Sequence, residues 1–160
     1  MSNARIVKGT AVYTAAFTPP TSPLTAVANT QLLTCQTNLP SNNSIFLDSS
    51  TNNFTAARFG NATQGTFSPY GDNWSYYYDG ASGTTFGTGI TFGTNPFTIE
   101  CWVYWGGTTP NYQNFIGSNN TFTSNASFFR VWGTGVATLG SKVGIGNPTH
   151  DGVSSVYSTN

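Results

Sequence analysis

Very little of this chain is charged. Lys, Arg, Asp and Glu together make 6% of its 160 residues, against about 25% in ordinary soluble proteins. The five basic and five acidic side chains cancel, leaving a formal net charge of zero. The basic ones, Arg5, Lys8, Arg58, Arg130 and Lys142, are scattered. No basic patch exists to neutralise phosphates, so nucleic acid is excluded as an expected partner. No apolar run approaches the ~20 residues of a membrane-crossing helix, and no membrane partner is expected. The first residues, Met1 to Lys8, contain no apolar core of a secretory signal. The expected site of synthesis is therefore a cytoplasm. Cysteine is nearly absent too: Cys35 and Cys101 are the only two, and His150 is the only histidine. These three cannot complete a four-ligand zinc site, and no cofactor is expected. In a cytoplasmic product the two thiols are expected to be buried and unpaired, although both sit in strand-like runs that would also suit a disulfide.

A sustained helical period is missing throughout. What replaces it is a series of short β-branched and aromatic runs, with turn signals roughly every ten residues, which indicates an all-β sandwich or barrel. The clearest run is Phe97-Thr98-Ile99-Glu100-Cys101-Trp102-Val103-Tyr104-Trp105, bounded by Asn95-Pro96 and Gly106-Gly107. Alternation places Phe97, Ile99, Cys101, Val103 and Trp105 on one face and Thr98, Glu100, Trp102 and Tyr104 on the other. One face is wholly apolar and the other carries two large rings, the pattern of a central strand. Further strands are expected at 6–13, 30–36, 45–48, 54–59, 74–78, 114–117, 127–133, 142–146 and 153–157. Phe17-Thr18-Pro19-Pro20-Thr21-Ser22-Pro23 holds three prolines in five residues and favours an extended path. The expected division is an extended, Pro-rich arm over residues 1–40 and a β body over 41–160.

The acids are too few and too dispersed for catalysis. Glycoside hydrolysis needs two carboxylates flanking one bond. Asp72 and Asp79 sit in turn sequences, Glu100 has no neighbouring acid, and Asp48 and Asp151 stand apart. A single histidine makes a Ser-His-Asp triad improbable in principle. Asp72, Asn73 and Asp79 fall short of the six to eight oxygens that calcium takes. No catalytic or metal residue is expected, and the chain is read as non-enzymatic. Trp105, Tyr112 and Trp132 are rings beside turns. They are the candidate glycan-contacting residues, with core or interface packing the commoner role for such rings.

Two stretches resemble known proteins. Trp74-Ser75-Tyr76-Tyr77-Tyr78-Asp79-Gly80, Phe86-Gly87-Thr88-Gly89 and Phe97-Thr98-Ile99-Glu100-Cys101-Trp102-Val103-Tyr104 resemble the opening half of laminin-G-like, concanavalin A-like lectin/glucanase domains of bacteriophage structural proteins. The earlier Arg5-Ile6-Val7-Lys8-Gly9-Thr10, Phe17-Thr18-Pro19-Pro20, Pro23-Leu24-Thr25 and Leu32-Leu33-Thr34-Cys35-Gln36 resemble the linker before such domains. The resemblance implies an antiparallel jelly-roll sandwich, here short of the family's last strands. It implies a virion structural protein: a capsid decoration or head-fibre subunit, or a tail-fibre component, held by its N-terminal arm to other capsid or tail proteins. Such a subunit is expected to form a homo-oligomer, and a trimer would suit a fibre. The alternative it implies is a lectin-like module that recognises host-surface glycans.

Overall fold

In a computed structural model, the described residues are 1–36, 46–71, 75–87, 90 and 94–104, together with the backbone of three later strands. They form ten strands in antiparallel sheets, and none of them is helical. The chain divides into two compact units, Met1–Tyr104 and Trp105–Asn160.

The first unit is built on β1 (Ser2–Lys8), which lies between β2 (Thr30–Thr34) and β7 (Phe97–Trp102) and runs antiparallel to both. β1 is the middle strand because both of its faces are covered. Ala4, Ile6 and Val7 are buried, and so is Arg5. Two irregularities bend the strand. The β7 register shifts between Ser2 and Arg5, and the β2 register shifts between Ile6 and Val7. At the first of these Asn3 is fully buried with φ +49°, a conformation Asn tolerates better than most residues. Its side-chain Oδ1 accepts the Leu24 amide at 2.9 Å, and its Nδ2 donates to Ser2 Oγ at 2.9 Å.

Two expectations need correction here. The run at 97–105 was expected to be a central strand. Among the described residues β7 instead lies at one side of this sheet, with exposed Phe97 and Trp102. Its mixed face is served by one ion pair and one covering segment rather than by a second strand. The expected arm over residues 1–40 is in part sheet, and its Pro-rich stretch lies along its own domain. Residues 2–8 and 30–34 are strands of the body, because their apolar side chains are needed to fill it. The Pro-rich stretch between them folds back on the sheet. Val12 N donates to Thr98 Oγ1 at 2.9 Å, and Tyr13 OH donates to Glu100 Oε2 at 2.8 Å. Arg5 donates to the Thr25 carbonyl at 2.7 Å, and Tyr70 OH donates to the Pro20 carbonyl at 2.7 Å. Proline removes donors, and side chains of the sheet and of Tyr70 meet four of the segment's polar groups.

The next strands make one interrupted ribbon. β3 (Ala56–Phe59) pairs with β6 (Gly83–Phe86), and β4 (Thr63–Gly65) pairs with β5 (Ser75–Tyr77). Gly60-Asn61 and Asp79-Gly80, which read as two turns, face each other across the interruption. Asn61 Nδ2 donates to Asp79 Oδ2 at 3.0 Å. Gly60 and Gly80 both have positive φ, which glycine adopts without strain. The ribbon joins the sheet through Met1 and Tyr76, which exchange both backbone hydrogen bonds at 2.8 and 2.6 Å. There Cys35, Phe46, Ala62 and Tyr76 form a buried cluster, with Phe46 edge-on to Tyr76 at 4.2 Å. The Tyr76 hydroxyl is bonded to that of Thr34.

Cys35 follows β2 and Cys101 lies in β7, so β1 separates them. Two strand spacings amount to roughly 10 Å, beyond the ~7 Å that a disulfide tolerates between Cα atoms. Neither cysteine is in a disulfide. Burial pushes Cys35 up to about 12 and Cys101 up to about 11, so both stay protonated at neutral pH.

In the second unit β8 (Gln113–Gly117), β9 (Ser127–Val131) and β10 (Val143–Gly144) form an antiparallel sheet with β9 in the middle. These agree with the strands expected at 114–117, 127–133 and 142–146. The expected strand at 153–157 lies outside the described residues.

Candidate functional site

Three carboxylates lie among the described residues: Asp48, Asp79 and Glu100. Asp48 is buried and occupied from every side. Its Oδ1 accepts the amides of Leu33 at 3.0 Å and Ser50 at 2.8 Å. Its Oδ2 accepts the Phe54 amide at 2.9 Å and Ser50 Oγ at 2.8 Å. The sequence makes this knot locally, since Asp48 and Ser50 bond within an Asp-x-Ser turn. Its effect is to cover the outer edge of β2. The Leu33 carbonyl accepts Ser49 N at 2.7 Å, and the Gln31 carbonyl accepts Ser50 Oγ at 3.0 Å and Asn52 Nδ2 at 2.9 Å.

Glu100 is tied to Arg5, its cross-strand neighbour. Oε1 accepts Arg5 Nε at 2.7 Å and lies 2.5 Å from a second guanidinium nitrogen, and Oε2 accepts Tyr13 OH. Burial, together with the hydrogen bond to Glu100 and its charge, raises the Tyr13 hydroxyl above its usual range. Asp79 is exposed, and hydrogen bonds from Ser82, the Ala81 amide and Asn61 hold its carboxyl below the usual range. Each carboxylate thus organises backbone or an ion pair. Among the described residues no cluster of three or more His, Cys, Asp or Glu side chains could hold a metal ion. Asp72, Asp151 and His150 lie outside them.

The surface feature that stands out is aromatic. Phe67 and Tyr104 stack at 4.6 Å and 12°, and both are about two-thirds exposed. Tyr70 and Trp102 meet edge to face at 6.1 Å. The same two segments, 66–71 and 102–104, supply both pairs, so the four rings form one patch. The polar tips are already satisfied. Trp102 Nε1 donates to Tyr70 OH at 2.8 Å, and Tyr70 OH in turn donates to the Pro20 carbonyl at 2.7 Å. What remains outward is ring surface with no charged residue among the four.

Trp105, Tyr112 and Trp132, the rings singled out from the sequence, lie outside the described residues. The patch was partly legible without them, since alternation already placed Trp102 and Tyr104 on one face. Phe67 and Tyr70 carried no such signal, because they stand in a turn. No protein-family model matches the chain, and neither a curated protein nor a solved structure matches it.

Proposed function

We propose that the protein is a non-enzymatic bacteriophage virion structural protein, a subunit of a capsid decoration, head fibre or tail fibre, built as a jelly-roll-like β body. The observation that carries this reading is the pairing of very low charge with exposed aromatic surface: 6% charged residues, and Phe67 and Tyr104 each about two-thirds exposed. A free particle with that surface has little repulsion to keep copies apart, whereas a subunit buries it. The resemblance of residues 74–104 to phage laminin-G-like domains supports the same reading. Attachment by residues 1–40 is not retained, because β1 is inside the sheet and the Pro-rich stretch is fastened to it. Attachment through exposed rings and strand edges replaces it. Cryo-EM reconstruction of an intact particle tests the proposal. The chain should be traceable as a repeated subunit, and particles that lack it entirely would sink the idea.

The second reading is a lectin-like module. It is favoured by the exposed Phe67–Tyr104 pair, since flat rings stack on the apolar face of a sugar. A glycan array decides it, with specific binding that is lost on Tyr104→Ser.

A further inference from the structure

The two sides of the first sheet are treated differently. The outer edge of β2 is closed by the Asp48 loop, which takes up the backbone groups of Gln31 and Leu33. On the outer edge of β7, Ile99 and Cys101 have no such cover among the described residues. Arg5 faces Glu100, Val7 faces Thr98, and the Gly9 amide donates to the Pro96 carbonyl at 2.7 Å. In an antiparallel ladder this turns the backbone groups of 96, 98 and 100 toward β1, and alternation turns those of Ile99 and Cys101 outward. No strand pairs with them among the described residues. Natural sheets blunt such edges with lysine, proline or a covering loop, as this chain does at β2. β7 carries neither lysine nor proline, and its one charge, Glu100, is consumed by Arg5 and Tyr13.

The aromatic patch continues from the same strand, through Trp102 and Tyr104. Phe67, Trp102 and Tyr104 together expose roughly 350 Å² of ring surface, given the size of such side chains and their fractional exposures. That is the scale at which a surface patch tends to be an interaction site.

We infer that the β7 edge at Ile99 and Cys101 and the adjoining Phe67–Tyr104 and Trp102 rings form a contact between two copies of this chain. This rests on the structural reading above and names the surface it would use. A second copy fits better than a sugar. A glycan would use the rings but leave the Ile99 and Cys101 backbone groups unmatched, whereas a strand supplies both. An antiparallel strand edge is complementary to itself under a two-fold axis. The patch carries no charge that would repel its own image, and the chain as a whole is neutral. Aromatic rings at the centre of an interface are also the side chains that hold subunits together most strongly.

The test is sedimentation equilibrium of the full chain across a concentration series, paired with amide hydrogen exchange. The wild type should self-associate, and the Ile99 and Cys101 amides should gain protection as concentration rises. Phe67→Ser with Tyr104→Ser, both at exposed positions, should weaken the self-association constant by at least ~30-fold, the size of one aromatic hot spot. The same variant should retain its β circular dichroism. Several results would overturn the inference. One is a wild type that stays monomeric at every concentration. Another is association that persists in the double variant with Ile99 and Cys101 unprotected; that moves the contact elsewhere and leaves the virion reading standing. A third is a monomer that binds a glycan array through these rings, which assigns the patch to a sugar. Absence of the chain from particles is a separate outcome and removes the virion reading without touching the self-association data.

Discussion

Removing the Glu100 carboxylate should cost more than any other single change on the covered face of the first sheet. In Glu100→Ala the Arg5 guanidinium, whose side chain is 6% exposed, keeps its hydrogen bond to the Thr25 carbonyl but loses its counter-charge. The Tyr13 hydroxyl loses its acceptor at the same time. Breaking one partner of a buried pair typically costs about 3–5 kcal/mol. Glu100 is 16% exposed, so some water can enter, and the lower end of that range, about 3 kcal/mol, is expected. For a domain of this size that is roughly 10 °C in Tm. Urea unfolding followed by tryptophan fluorescence measures it, with the m-value unchanged so that the loss is one of stability rather than compactness. Because Tyr13 and Thr25 hold the Pro-rich stretch to the pair, limited proteolysis should also begin within residues 10–29 in the variant. The companion is Arg5→Met with Glu100→Leu. Replacing both charges with apolar side chains should restore most of the loss, since a buried pair about breaks even against well-packed hydrophobes. A loss below ~1 kcal/mol in Glu100→Ala, or a double variant no better than the single one, would refute the argument that the pair is desolvated.

Other outcomes follow from the same geometry. Asp48→Ala strands three backbone amides, each an unmade bond of about 1 kcal/mol or more, while the Ser50 hydroxyl keeps the Gln31 carbonyl, so a loss of roughly 3 kcal/mol is expected by chemical denaturation. It also uncovers the β2 edge, so light scattering of the variant should rise with concentration more steeply than for the wild type. Alkaline stability should fall in a defined window. Unfolded thiols ionise near pH 9, whereas folded Cys35 and Cys101 hold their protons to about 12 and 11. The native state therefore holds more thiol protons above pH 9, and the thiols leave stability unchanged below that point. It then declines by up to about 1.4 kcal/mol per pH unit per thiol until the folded pKa is passed. Cys35→Ala should flatten the decline, and a thiol reagent at pH 8 should label neither cysteine until urea is added. Gly60→Ala should cost more than Gly83→Ala in thermal melts. At Gly60 φ is +61° and an added Cβ meets the Ala81 and Ser82 backbone at 3.1 Å, whereas at Gly83 it meets only the half-exposed Phe59 ring, which can swing aside.

The sequence by itself determined the class of fold. Short β-branched and aromatic runs, punctuated by Gly, Asn and Pro, permit strands and exclude long helices, and β2, β5, β7, β8 and β9 fall where those runs stand. It also determined that the cysteines have no local partner and that no acid has a second acid beside it. The tertiary structure decided which strand is central. Ser2–Lys8 contains an arginine and an asparagine and is a weaker strand by composition than Phe97–Trp102. It is the middle one because Glu100, ninety-five residues away, neutralises Arg5 and because Leu24 satisfies Asn3. Periodicity records only what a residue's own strand presents, and those partners come from elsewhere in the chain. The same reason explains the aromatic patch. Alternation could set Trp102 and Tyr104 on one face, but only folding brought the turn with Phe67 and Tyr70 against them. Folding also closed one edge of the sheet with Asp48, and no strand among the described residues closes the other.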